Sequence, residues 1–197
     1  MVDKKEGIGY SEKINDKAFS KYLDSSRKWS LYFSFGLALI AIIGFFVYGQ
    51  TSSDMDNPQA LFIGLAIGGM FITIASIQNM RRNRSKTWDG VVVDKKHEKK
   101  KRRINSSDNE NSQVEIYDHY TINIRSDEGK KHKITSDNDD TLYNYYHVGD
   151  KVRKHAGLNT YEKYDKSKDT IIFCNACGTL NSIEGDYCSR CKCPLLK

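Results

Sequence analysis

All five cysteines of the chain fall in its last two dozen residues. Four of them form two Cys-x-x-Cys pairs, Cys174/Cys177 and Cys188/Cys191, with ten residues between the pairs. Thiolates at i and i+3 of a tight turn converge on one point, and two such turns facing each other make a tetrahedral S4 site. Zinc suits that donor set, with iron as its main competitor. Four cysteine ligands close the coordination sphere and leave no position for water, so the expected Zn2+ is structural. In so short a segment with almost no core, the metal supplies most of the folding free energy.

Gly178 follows the first pair and suits a left-handed backbone position from which amides approach the sulfurs. In zinc ribbons the second pair usually has a glycine as well, but here Lys192 and then Cys193 follow. Cys193 reads first as an ordinary surface cysteine. A spare ligand, or a free thiol whose pKa Lys192 lowers, are the sharper readings. A redox dithiol is the alternative use of the cysteines, though the two pairs together fit a metal better.

The second chemical feature is positive charge. Lys95 to Arg103 holds seven Lys or Arg in nine positions, and Arg81 to Arg103 carries a net +8 while the whole chain carries +6. The run reads first as a solvated hairpin loop, continuing into the Ser/Asn/Asp/Glu-rich stretch up to Gln113, which is expected to be disordered. Close behind comes contact with anionic lipid headgroups through Arg81, Arg82, Arg84, Lys99, Lys100, Lys101, Arg102 and Arg103. Nucleic acid ranks third, because no aromatic residue is interleaved with these cations to stack on bases. The five histidines show no ligand spacing, and no phosphate loop, nucleophile elbow or His-Glu-x-x-His helix is present. The chain is read as a non-enzyme.

Two uncharged runs precede these features, Trp29–Ser53 and Asn57–Met80. Each supplies the roughly 20 apolar residues that a helix needs to cross a bilayer. Core helices would need apolar surface elsewhere to cover them, and a signal peptide would be shorter and earlier. The expectation is a transmembrane hairpin over 29–80, with spans at 29–49 and 59–79. The connecting loop holds Asp54 and Asp56 and no Lys or Arg, whereas Lys21, Arg27 and Lys28 flank one side and Arg81 to Lys86 the other. Both termini are therefore expected in the cytoplasm, at the cell membrane. A reducing cytosol also keeps metal-binding thiolates from forming disulfides.

Ala60, Gly64 and Gly68 recur every four residues, as do Ser30, Ser34 and Ala38. Small residues at this spacing let helices approach closely. Packing within the hairpin is the simplest use, and homodimerisation through the Gly64/Gly68 face is the weaker one. Neither run contains Asp, Glu, Lys, Arg or His, so a channel or transporter has little support.

Residues 1–28 place Ile14, Ala18, Phe19, Tyr22 and Leu23 on one helical face among lysines. They read equally as an amphipathic helix on the inner leaflet and as a disordered tail. From Thr87 to Tyr164 the pattern changes to period two, giving a small antiparallel sheet or partly open barrel of five or six strands with one short helix near Leu142–Tyr146. Residues 165–173 read as a linker, and 174–197 as the metal module.

The segments Trp88-Asp-Gly-Val-Val-Val93, Tyr120-Thr-Ile-Asn-Ile124 and Val148-Gly-Asp-Lys151 resemble the small β-domain of uncharacterised bacterial membrane proteins. His155 to Asp165, ahead of Cys174-Asn-Ala-Cys-Gly178, is similar to a mostly Gram-positive subset ending in a zinc ribbon. The resemblance implies an architecture and a bacterial inner membrane, and no reaction. The function expected from all of this is a membrane-anchored cytoplasmic scaffold that meets a protein partner. A membrane-tethered nucleic-acid-binding or regulatory protein, or a thiol redox sensor, are the alternatives.

Overall fold

Asp16 starts the first helix, its carboxylate accepting a hydrogen bond from the Ala18 amide at 2.7 Å. From there α1 runs unbroken over Lys17–Thr51 in a computed structural model that describes residues 7–52, 56–104 and 113–197. Its 35 residues reach about 50 Å at ~1.5 Å per residue, far beyond the apolar run alone. The basic N-terminal segment is therefore no separate surface helix. From Lys17 onward it forms the first turns of α1, preceded by a short 3-10 turn at Glu12–Asn15.

The second helix, α2, spans Asn57–Asn83. Pro58 sits in its first turn, where a missing N–H costs nothing. Arg81 and Arg82 sit in its last turn and complement the helix dipole.

The two helices pack through their small residues. Ala38, Ala60, Gly64, Gly68 and Ala75 are buried. A methyl on Gly64 would stand 3.1 Å from Phe45 Cβ and 3.2 Å from the Ile42 Cα, and one on Gly68 would stand 3.3 Å from Ala38 Cβ. Packing within the hairpin, the simpler of the two uses expected for the Gly64/Gly68 face, is the one these contacts show. Gly64→Leu is expected to force α1 and α2 apart and lower the Tm of the full chain in detergent, at the ~1–3 kcal/mol typical of overpacking. Gly69→Leu is the control, because nothing lies within 4 Å of a methyl there. Equal effects of the two changes would rule out this packing.

The sheet has the order β3-β2-β1-β4-β5, all antiparallel. Its strands are β1 (Trp88–Ile104), β2 (Gln113–Ser126), β3 (Lys131–Asp137), β4 (Lys151–Lys154) and β5 (Tyr161–Lys163). A short helix, α3 (Thr141–Tyr145), lies between β3 and β4. The core is Val92, Ile122, Ile124, Tyr145, Tyr146 and Val152. Asp89 of the Trp-Asp-Gly motif makes a bidentate pair with Arg153 of β4, at 2.6 and 2.7 Å. The Val-Gly-Asp turn is tied to β1 by Gly149 N–H to Val92 O at 2.8 Å and Val92 N–H to Asp150 O at 2.9 Å.

The expected disordered loop over 95–113 is largely a strand. Residues 95–104 continue β1, and only 105–112 fall outside the described residues. Residues of β2 face this run: Asp118 Oδ1 lies 2.7 Å from His97 Nε2, Tyr117 lies opposite Lys100, and Glu115 lies opposite Arg102 and pairs with it. Opposite charges and aromatics in such cross-strand pairs stabilise a ladder that a run of like charges alone would destabilise.

A second, two-stranded sheet follows, β6 (Ile171–Phe173) with β7 (Leu180–Ser182). Phe173 belongs to the core of the first sheet. Residues 165–173 are therefore no free linker: Lys166 is buried, and β6 leads straight into the first cysteine pair.

Candidate metal centre

The β6–β7 hairpin and the turn after it bring Cys174, Cys177, Cys188 and Cys191 together. Their four sulfurs lie within 4.8 Å of one another. Cys174 Sγ is 3.5 Å from Cys191 Sγ, and Cys177 Sγ is 3.5 Å from Cys188 Sγ. Four sulfurs at ~2.3 Å from a tetrahedral ion would be about 3.8 Å apart, so this donor set fits a zinc-sized ion. Each pair supplies one sulfur that is buried and one that is partly exposed.

The two turns are built alike. In the first, Gly178 donates its N–H to Cys174 O at 2.8 Å with φ +77°. In the second, Lys192 donates to Cys188 O at 3.1 Å with φ +60°. Lysine thus occupies the left-handed position that glycine fills in the first turn, at a cost of about 1–2 kcal/mol. Its ammonium donates to Ser189 O at 2.9 Å and so closes the same turn.

Asn181 links the two turns, and nothing in its local sequence marks it. Its Nδ2 donates to Thr179 O at 2.7 Å and lies 3.7 Å from Cys188 Sγ, while its Oδ1 accepts from Ser189 N at 2.8 Å. Donors of this kind orient sulfur ligands and offset their negative charge.

Cys193 is neither a ligand nor a surface thiol. It is 1 % exposed, and its Sγ lies 3.7 Å from the Ala18 carbonyl of α1. Burial raises its pKa, the opposite of the expected effect of Lys192. The reason is α1 itself. Phe19 is buried among Leu158, Ile172, Cys193, Leu195 and Leu196, with Ala18, Tyr22 and Leu23 beside it. The apolar face expected to lie on a leaflet lies on the cysteine module. Burial and the neighbouring Cys177 and Cys191 raise the Tyr22 phenol above its ordinary value.

The eight cations expected to meet lipid are not equivalent. Arg82 is partly buried and braces the junction, donating to Gly157 O at 3.2 Å and to Ser26 Oγ at 3.0 Å. Arg81 and Arg84 are exposed at the end of α2. Arg102 pairs with Glu115 at 2.9 Å, and Lys100 approaches Glu98 at 3.9 Å. Lys99, Lys101 and Arg103 are exposed and, among the described residues, form no ion pair. Aromatic residues do interleave with the cations, supplied by the paired strand. The Arg102 guanidinium lies 5.2 Å from the Tyr117 ring, and His97 stacks on Tyr120 at 4.5 Å. A reading of β1 alone could not show this.

No family model, no curated protein and no solved structure matches the chain.

Proposed function

We propose that the chain is a membrane-anchored interaction protein. In this reading α1 and α2 cross a bilayer twice with both termini in the cytoplasm, and the four cysteines hold one structural Zn2+. One observation carries it: the hairpin is small and closed inside and large and apolar outside. Phe33, Ile40 and Phe62 are 61, 67 and 72 % exposed, and apolar surface of this extent on a hairpin calls for lipid to cover it. The basic residues at the ends of both helices support the orientation. Zinc is the ion named because a closed tetrahedral S4 site is its commonest structural setting. One zinc and no iron per chain by elemental analysis is the expected result, and iron in its place would overturn the assignment. Such a centre stiffens a small module that presents a surface, and here that surface includes exposed Leu180 and Tyr187. The resemblance to bacterial membrane proteins ending in a zinc ribbon agrees with this arrangement.

Two measurements test the reading. Carbonate-washed membranes should retain the chain, and reporters fused to either end should lie in the cytoplasm. Proximity labelling from native membranes should then lose its specific neighbours in a Leu180→Ser/Tyr187→Ser variant that keeps its metal. Extraction by carbonate removes the anchor reading, and unchanged neighbours remove the ribbon surface.

A second reading rests on the β1–β2 ribbon, where Lys99, Lys101 and Arg103 share one face with exposed Val114 and Ile116. A two-stranded basic ribbon with nearby tyrosines suits a nucleic-acid groove. Retention of the full chain on DNA or RNA at low salt, lost on neutralising these three cations, would establish it.

A further inference from the structure

A cavity of about 650 Å3 lies where α2 meets the sheet, within the usual size range of small-ligand sites, roughly 300–1,000 Å3. Trp88 and His132 form one wall, their rings stacked at 4.0 Å. Arg82 and Lys86 enter from the end of α2, Lys130 from the turn between β2 and β3, and Lys154 from the end of β4. Against these four cations the lining holds one carboxylate, Glu128, which is already paired with Lys130 at 2.8 Å.

Lys154 is the decisive group. Its ammonium donates one hydrogen bond, to the Asn159 carbonyl at 2.6 Å, and sits 4.8 Å from the Tyr161 ring. Among the described residues no carboxylate pairs with it. An ammonium has three donors, so two remain for a ligand. Burial alone drives its pKa down to about 8. A half-buried cation that costs stability and has no counter-ion is what an anion site looks like when the protein supplies the positive half.

We propose that this cavity binds a phosphate group, with Lys154 and Lys86 as the principal ligands and Arg82 as fixed positive charge. Several cations around one opening match an oxyanion carrying more than one acceptor oxygen better than they match a carboxylate. The phosphate has two possible sources, a soluble phosphate compound or the headgroup of an anionic lipid. The lipid source alone rests on the membrane reading, which places the end of α2 at headgroup level.

The full chain in phosphatidylcholine nanodiscs, with Trp29→Phe so that Trp88 is the only indole, is the system for the test. Inorganic phosphate is titrated at fixed ionic strength, and in a separate arm phosphatidylglycerol replaces part of the lipid. A saturable change in Trp88 fluorescence together with a higher Tm is expected in one arm. A response to phosphate identifies a soluble ligand, and a response to phosphatidylglycerol alone identifies a headgroup. Lys154→Met should weaken the response about tenfold or more, the scale of one charge-assisted hydrogen bond. The same variant should have a higher Tm without any anion, because it removes a desolvated charge.

The pH dependence provides a second readout. Between about 8 and the ordinary lysine value the folded chain holds one proton fewer than the unfolded chain at Lys154, so stability without ligand rises with pH across that window. Anion binding weakens over the same range. Lys154→Met abolishes that trend and flattens the rise in stability, leaving the share contributed by Lys95 and Lys166, whose pKa values burial also lowers. No response in either arm, or a Lys154→Met variant that binds like the parent, overturns the proposal.

Discussion

If the four cysteines hold the proposed ion, stripping it with a chelator, or replacing Cys188 with serine, is expected to unfold residues 171–197 and to release the first turns of α1 with them. β6 and β7 are three residues each, and an isolated two-stranded hairpin is marginal in water. The module's own apolar core amounts to Ile172, Ala176, Leu195 and Leu196 with the cysteines and a partly buried Ile183, completed by Phe19 and Leu158 from outside. A structural zinc contributes roughly 10–16 kcal/mol in such modules, as much as the entire stability of an ordinary domain. Losing it leaves four crowded sulfurs with no ion between them, and only the Asn181 hydrogen bonds to link the two turns.

Hydrogen exchange on the full chain reads this directly. The amides of Cys188, Lys192 and Leu195, which donate to Cys193 O, Cys188 O and Asp186 O, should lose protection on chelation, while those of the β1–β2 ladder keep it. Cys193→Ala is the contrast. It deletes packing against Ala18, costs about 1–2 kcal/mol, and should leave one metal ion per chain. Full protection after complete metal removal would falsify the assignment of the metal as the module's main support.

The parts of this architecture that follow a local period were legible in the sequence. Two uncharged runs became two helices, the Ala60/Gly64/Gly68 spacing met Ala38 in their contact while Ser30 and Ser34 stayed only partly covered, and the cysteine spacing became one cluster. What failed was reading by local composition. Lys95 to Arg103 looks like solvated loop because the residues that hold it, Glu115, Tyr117 and Asp118, arrive on another strand. Phe19 and Tyr22 look like a membrane-facing stripe because their partners, Leu195 and Leu196, lie at the opposite end of the chain. Cys193 looked exposed for the same reason. In each case the deciding contact spans a long sequence separation, which composition and periodicity do not carry.

Glu162 is the largest such omission, and its removal is the second strong test. Glu162→Gln is expected to destabilise the folded chain by about 3–5 kcal/mol, the scale seen when one partner of a buried ion pair is lost. Both side chains are 1 % exposed, with Lys166 Nζ 3.0 Å from Glu162 Oε1. The same oxygen accepts the Ser11 amide at 2.7 Å, and Oε2 lies 2.6 Å from His155 Nε2. The remaining donors of Lys166 go to Gly9 O and Lys163 O, at 3.0 and 2.9 Å. Around this pair the segment Gly7–Ser11 is strapped to the sheet, with Gly9 N–H donating to Tyr164 O at 2.7 Å.

Glutamine keeps the shape and removes the charge, so a buried ammonium is left without its counter-ion. Burial already lowers the Lys166 pKa, and the Glu162 carboxylate opposes that shift. Without the carboxylate, Lys166 loses its proton at a lower pH. A buried base with a depressed pKa makes stability rise with pH between its folded and unfolded values, because the unfolded chain binds the extra proton there. In Glu162→Gln that window opens at lower pH than in the parent. The deficit in Tm should therefore be largest in mild acid and shrink as pH rises. Lys166→Met in the same chain should recover part of it by removing the stranded charge. A deficit that stays constant with pH, or no recovery in the double variant, would show that Glu162 acts through shape alone and that the strap does not depend on its charge.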